Sequence, residues 1–382
     1  MAVRDLSGTV VIVGAAESDE IGVTANKSAM QHHAEAGLNA LADAGLSLSD
    51  VDGLFAAGVT TLATAEYMGI RPRYTDGTSV GGSSFVIHVA HAVAALNAGY
   101  CDVALVTHGQ AGRSARVRDA VGLDLAGPQF ESPYGLIGPP INYAMACSRY
   151  MHLYGEERAR EGMAEIAVAT RKWAELNPKA MMRDPMTFED YHASRWIAWP
   201  FHLLDCCLVT DAGGAVVLTR ADRARDLPKK PVYVLGAAEH HDHQIISQMP
   251  DLTLTPAHDT GPRALEMAGL KHADIDLAMI YDSFTYTVLA TLESLGFCGR
   301  GEGPDFVKGQ RTAPGGDFPM NTSGGGLSYT HSGMYGMFLL VEAVRQLRGE
   351  CGERQLDKCK TVLVNGTGGM LSSTGTAILA VD

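Results

Sequence analysis

Ala40-Leu-Ala-Asp-Ala-Gly-Leu-Ser-Leu-Ser-Asp50-Val-Asp52 returns without a gap as Ala264-Leu-Glu-Met-Ala-Gly-Leu-Lys-His-Ala-Asp274-Ile-Asp276. Each copy reads as a helix stopped by a glycine, Gly45 or Gly269, followed by a short turn and a strand. The strands are Gly53-Leu-Phe-Ala-Ala-Gly58 and Leu277-Ala-Met-Ile-Tyr281. A strand also precedes each helix, Gly8-Thr-Val-Val-Ile-Val-Gly14 in one copy and Pro231-Val-Tyr-Val-Leu-Gly236 in the other. Downstream, an apolar helix from Phe85 to Leu96 leads to Asp102-Val-Ala-Leu-Val-Thr107, and one from Met337 to Leu347 leads to Thr361-Val-Leu-Val-Asn365. Strand–helix–strand–helix–strand in each half predicts an α/β protein of two similar layers, residues 1–225 and 226–382. Duplicated halves of this kind meet with a ligand site where their loops converge.

Composition agrees and narrows the function. The chain has 382 residues, 46% hydrophobic and 19% charged, enough for one large core or two fused ones. A formal charge of −13 argues against nucleic acid or an anionic membrane as the main partner. Apolar runs stay short of a membrane span, and the N-terminal residues lack the apolar core of a secretory signal, so a cytoplasmic protein is expected. The seven cysteines form no Cys-x-x-Cys pair, so neither a disulfide framework nor a zinc site is indicated. Cys206-Cys207 falls in an apolar run, Leu203 to Leu218, read as a buried strand closing the first half. His240-His-Asp-His243 invites a metal reading, but consecutive residues cannot all face one ion, so no metal is expected. Residues 109–200 interrupt the first half as a cap or lid, with Pro139-Pro140 and Trp196-Ile-Ala-Trp199-Pro200 either walling a site or packing on one another.

The candidate site is a glycine-rich loop, Asn321-Thr-Ser-Gly-Gly-Gly-Leu-Ser-Tyr-Thr-His331-Ser-Gly-Met-Tyr-Gly336. Three successive glycines allow positive φ and close backbone approach, so a bulky group can lie against bare main chain. A histidine beyond them can donate a hydrogen bond or move a proton near neutral pH. The alternative is a loop with a surface histidine.

Four ordered motifs bear a resemblance across nearly the whole chain. Asn321-Thr-Ser-Gly-Gly-Gly with His331 resembles the Asn-x-x-Gly-Gly…Gly-His-Pro loop of thiolases, in the branch similar to the sterol-carrier-protein-2 thiolases. Tyr281-Asp-Ser-Phe284, with Leu292-Glu-Ser-Leu-Gly-Phe-Cys298 after it, is similar to that branch's His-Asp-x-Phe box and following helix, and Asp211-Ala-Gly-Gly-Ala215 to its Asp-Gly-Ala-Ala strand. The resemblance implies the thiolase fold, duplicated halves in five layers α-β-α-β-α, at least a dimer, acting on acyl-coenzyme A. Coenzyme A would enter as part of the substrate, with no permanently bound cofactor.

Two departures redirect the chemistry. The nucleophilic cysteine of thiolases falls at Gly82, in Gly81-Gly-Ser-Ser-Phe85, and Asn365-Gly-Thr-Gly-Gly369 replaces the second, C-terminal cysteine turn. Ser83 or Ser84 would need a partnered base to substitute for a thiolate. Without the cysteine the enolate half of the chemistry remains, and the site looks like that of the steroid side-chain aldolases. The resemblance then implies that His331 stabilises the enolate oxygen, with backbone around Gly82, Ser83 and Gly368 in support. Tyr281 and Tyr329 become proton carriers, with Asp282 and Asn365 as supporting residues. It also implies a separate small partner subunit of the zinc-finger/OB-fold type. An acyltransferase with an unconventional nucleophile and a non-catalytic acyl-CoA-binding subunit remain the alternatives.

Overall fold

The structure is a computed structural model that describes residues 3–115 and 127–382, so residues 116–126 of the expected lid lie outside the described residues. The strands are β1 (Val10–Glu17), β2 (Gly53–Ala56), β3 (Tyr74–Asp76), β4 (Val103–Ala111), β5 (Trp196–Ala198), β6 (Phe201–His202), β7 (Asp211–Arg220), β8 (Val232–His241), β9 (Leu277–Ile280), β10 (Thr361–Gly368) and β11 (Ser373–Ala380). The helices are α1 (Ala29–Ala44), α2 (Thr61–Met68), α3 (Ser84–Asn97), α4 (Pro139–Tyr154), α5 (Glu156–Glu175), α6 (Phe188–Ala193), α7 (Ala257–Ala268), α8 (Thr285–Leu295), α9 (Gly303–Val307) and α10 (Gly336–Arg348).

The sheet order makes the duplication visible. It runs β3-β2-β4-β7-β1 and then β8-β11-β10-β9, the second series mirroring the first about a seam between β1 and β8. At that seam Val11 faces Tyr233 and Ile12 faces Val232 in antiparallel register. Helices α3 and α10 each pack on strands from both sides of the seam, whereas α1 packs on β1, β4 and β7 and α7 on β8 and β11. Five layers result, with α3 and α10 in the middle.

Strand alternation feeds these layers. Val10 and Ile12 join the core around α3 and α10, while Val11 and Val13 face the layer of α1. The same alternation sends Leu277, Met279 and Tyr281 to the inner core and Ala278 and Ile280 outward. That places Tyr281 at the inner edge of β9.

The repeated helices share a left-handed glycine at their C-termini, while a side-chain cap at the N-terminus belongs to α1. Ser28 and Gln31 form a capping box at the start of α1, and Gly45 (φ 69°) and Gly269 (φ 69°) end α1 and α7 in the left-handed conformation. Each helix also lies directly on its strand. A Cβ on Gly14 would be driven into the Ala40 carbonyl and stand 2.9 Å from Ala44 Cβ, and one on Gly236 would be driven into the Ala264 carbonyl. The same glycine–alanine contact thus seats both halves.

The Cys206-Cys207 run departs from the strand expected of it. Cys206 and Cys207 lie in irregular chain before β7, where Cys207 N donates to Ser283 O (3.0 Å) and Leu208 N to Gly326 O (2.9 Å), because the segment must follow the glycine loop. Trp196 and Trp199 are 51% and 54% exposed and wall no site. Trp196 packs on His202 with ring centroids 3.7 Å apart and lies under the Arg160 guanidinium. No described helix is long and apolar enough to cross a membrane.

Gly14→Ala and Gly236→Ala should each lower unfolding free energy by roughly 1–3 kcal/mol, because the added methyl meets immovable backbone. Gly37→Ala, whose Cβ meets the flexible end of Met68 at 2.8 Å, should cost less. Urea denaturation of the three variants gives the comparison.

Candidate active site

The glycine loop is pinned to β9 by one side chain. Asn321 sits at φ 51°, accepts from Ile280 N through Oδ1 and donates to Ile280 O through Nδ2, both at 2.8 Å. Asp282, fully buried, accepts from Gly326 N (2.7 Å) and Leu327 N (3.2 Å). Burial pushes its carboxyl up to about 7, against those two amides. A Cβ on Gly325 would collide with that carboxylate and one on Gly324 would stand 2.6 Å from Ala174 Cβ, so the glycine run follows from packing. Asp282 therefore orders the loop.

At the loop's far end His331 meets Tyr281. The Tyr281 hydroxyl lies 3.0 Å from His331 Nε2 and accepts from Tyr335 N at 3.1 Å, at the N-terminus of α10. That amide and the helix end favour negative charge on the phenol oxygen. Tyr335 is fully buried, stacks on the imidazole and meets the Tyr281 ring edge-on. His331 and Tyr281 are 8% and 4% exposed. Burial lowers the imidazole to about 4 and raises the phenol well above its ordinary value, so both are neutral at pH 7.

Gly82 completes the arrangement. A Cβ there would stand 2.5 Å from the Tyr281 hydroxyl oxygen and closer still to its ring carbons. On its other side a Cβ on Gly336 would be driven into the Gly82 carbonyl, and one on Gly366 would stand 3.0 Å from Ser83 Cα. The phenol of Tyr281 fills the space a side chain on residue 82 would need.

The remaining candidates separate into neighbours and outliers. Gly368 borders the same turn, where a Cβ would meet the Val80 carbonyl and Ser83 Oγ. Ser83 Oγ is 2.9 Å from Ser373 Oγ, and Ser373 Oγ is 2.9 Å from His241 Nδ1, so the hydroxyl is engaged away from Tyr281. Asn365 receives Tyr281 N on its carbonyl (3.0 Å) and sends its side chain to Thr376. Tyr329 is not brought to the Tyr281–His331 pair. Its hydroxyl donates to Glu17 Oε1 (2.5 Å), a buried carboxylate that also receives Arg345 and Lys179 and is held well below the usual range by them.

Three neighbours escaped the sequence reading. Tyr335 lay inside the quoted loop, an aromatic directly before a helix. Thr210 holds the His331 backbone at both ends, accepting from His331 N (2.9 Å) and donating to His331 O (3.1 Å). Tyr143 on α4 donates to Gly369 O (3.0 Å), a contact only tertiary structure reveals. Cys207 bears electrostatically on Tyr281, but burial and Asp282 push its thiol well up, the opposite of a nucleophile. Among the described residues no group of three or more His, Cys, Asp or Glu side chains is placed to hold a metal ion. The histidine run disperses, His240 to Asp242 and Asp259, His241 to Ser373 and His243 to the Met370 carbonyl.

Comparison with known proteins places this geometry. Residues 238–381 match the family model described as Thiolase C-terminal domain-like. The chain is 39% identical over 365 residues to the 17-hydroxy-3-oxo-4-pregnene-20-carboxyl-CoA lyase of Mycobacterium tuberculosis, covering 90% of this chain and 92% of that one. It is 37% identical over 388 residues to the steroid side-chain-cleaving aldolase of Thermomonospora curvata, covering 94% and 96%. Among solved structures the Ltp2-ChsH2(DUF35) aldolase superposes with a TM-score of 0.91 at 36% identity, covering 99% of each chain. With its mirrored halves, its glycine loop and its phenol in the place of a thiol, the chain belongs to the thiolase superfamily, on the branch that holds the steroid side-chain-cleaving aldolases.

Proposed function

We propose that the protein is a coenzyme A thioester carbon–carbon lyase that cleaves a 3-hydroxyacyl-CoA by retro-aldol chemistry. The observation that carries this reading is the exclusion between residue 82 and Tyr281: with the phenol in place, no thiol fits at the head of α3 and the acyl-enzyme route lacks its nucleophile. In the retro-aldol direction the bond between Cα and C3 breaks and its electron pair enters the thioester enolate. The C3 hydroxyl becomes a carbonyl as its proton leaves. Tyr281 takes that proton while passing its own to His331 Nε2, 3.0 Å away. The imidazolium and the enolate thus form together, and their attraction is strong in a buried site. Backbone amides near Gly82 and Gly368 complete the oxyanion site. The proton then returns through Tyr281 to the α-carbon, giving a carbonyl product and a shortened acyl-CoA.

In this scheme Tyr329, held on Glu17, anchors the loop, and Asp282 and Asn365 position loop and phenol. The names of the similar lyase and aldolase support a bulky steroid-like acyl group. The similar DUF35-containing assembly supports a separate small partner, here taken as the zinc-finger/OB-fold type, acting with a homodimer of this chain.

Incubated with a 3-hydroxyacyl-CoA, with and without such a partner, the protein should release a carbonyl compound and a shortened acyl-CoA without consuming free coenzyme A. Turnover confined to 3-ketoacyl-CoA plus coenzyme A, or an acylated residue trapped in mass spectrometry, would overturn the proposal. Tyr281→Phe should lower kcat at least about 100-fold.

Gly82→Ala should destabilise by roughly 1–3 kcal/mol, and much of that loss should disappear in a Tyr281→Ala background, where the ring no longer occupies the space. Purely additive losses in the double-mutant cycle would show that the two positions do not compete.

The pH dependence follows from a depressed imidazole. His331 accepts a proton only when neutral, and its folded value is about 4, so its own titration should add no acid limb to kcat/KM between pH 8 and about 5. Asp282, lifted to about 7, titrates inside that window, so the profile is read in Asp282→Asn, where an acid limb near 6.5 would contradict this. The unfolded imidazole titrates near 6.5, so the same shift withdraws stability as pH falls from 6.5 towards 4, and rates are read where thermal melts show the fold intact.

A further inference from the structure

A second histidine stands behind the first. His108, on β4, is 1% exposed and enclosed by Phe85 of α3 (centroids 4.8 Å apart) and Phe338 of α10 (5.9 Å, edge-on). Its Nε2 lies 3.0 Å from Ser332 Oγ and 3.2 Å from Ser332 O. A carbonyl oxygen only accepts, so Nε2 carries the ring proton and donates to both. Burial among apolar rings holds His108 neutral, which leaves Nδ1 bare, and that atom has no partner among the described residues. A buried unpaired ring nitrogen costs stability that an apolar residue in the same space would keep.

The residue that receives this proton follows His331 directly. With Thr210 holding His331 N and O, the His331–Ser332 segment is gripped from two sides, by β4 through His108 and by the chain leading into β7 through Thr210. A proline after the histidine, which would stiffen this turn through its own ring, is absent here. We infer that His108 is a positioning residue for the lyase reaction, donating from Nε2 to Ser332 so that His331 Nε2 stays within hydrogen-bond reach of the Tyr281 hydroxyl. This rests on the function proposed above for the Tyr281–His331 pair, and a reacting geometry loosened by a fraction of an ångström costs rate more than binding.

The test compares His108→Leu, which removes the donor, with His108→Gln, whose amide restores one, in the full chain. His108→Leu should lower kcat about tenfold with KM for the acyl-CoA changed less than about twofold, and His108→Gln should recover most of the loss. In protein labelled with 15N-histidine, the ring resonances of His331, assigned through His331→Gln, should move in His108→Leu and return in His108→Gln. Unmoved His331 resonances in His108→Leu would overturn the inference whether or not the lyase reading stands. An active wild type with unchanged kcat in His108→Leu, or His108→Gln as impaired as His108→Leu, would overturn the inference alone. Should His108→Leu fail to fold, His108→Phe, which fills the space between Phe85 and Phe338 without a donor, carries the test: a kcat lowered about tenfold with shifted His331 resonances supports the role, and wild-type values refute it.

Discussion

A phenol and a side chain on residue 82 compete for one volume, and the backbone around the head of α3 leaves neither anywhere else to go. Gly82 is pressed by α10 at Gly336 and its neighbour Ser83 by β10 at Gly366, so the turn cannot retreat from Tyr281. Overpacked cores relieve themselves by moving a side-chain end, and here the surroundings are main chain. Choosing tyrosine at the edge of β9 thus forces glycine at the start of α3, although the two stand far apart in sequence. Each half supplies one member of the pair, and the seam between β1 and β8 brings them together.

The same packing sets the electrostatics. Burial raises the phenol, lowers the imidazole and lifts the Asp282 carboxyl together, because each would carry charge into a space with little water. Glu17 by contrast keeps its buried charge, by gathering Arg345, Lys179 and the Tyr329 hydroxyl on the far side of the loop. A firm charge is therefore kept on the anchoring side, and the Tyr281–His331 pair is neutral at rest. The loop between them carries both arrangements within a few residues, which is why Tyr329 and His331 have different surroundings despite their spacing.

Much of the architecture was readable in the chain because it is written twice. The repeat at Ala40 and Ala264 reports a helix that must lie on a strand glycine, a local pattern that survives without knowledge of the partner strand. Tyr281 and His331 were each named through the resemblance of the motifs that carry them, and the structure sets them 3.0 Å apart. Tyr329 misled because spacing along a loop does not say which way a side chain turns, and the turn depends on Glu17, which no local pattern ties to the loop. Thr210 and His108 left no signal at all, since each acts on backbone through contacts distant in sequence. The Cys206-Cys207 run read as strand from its apolar content, yet Cys206 N bonds to Leu203 O, Cys207 N to Ser283 O and Leu208 N to Gly326 O of the glycine loop.

The absence of a thiol and the neutrality of the dyad belong to one design requirement. A cysteine enzyme must hold a thiolate before its substrate arrives, so its site has to stabilise charge at rest and tolerates polar, electropositive surroundings. A retro-aldol reaction needs charge only while the carbon–carbon bond is breaking. In the reaction proposed here two neutral partners 3.0 Å apart supply it by moving one proton, creating cation and enolate in the same step. The desolvation that would penalise a standing thiolate then strengthens the attraction within the transient pair. Filling the space at residue 82 with the Tyr281 ring removes the nucleophile and keeps the pair dry, so one substitution of volume serves both ends.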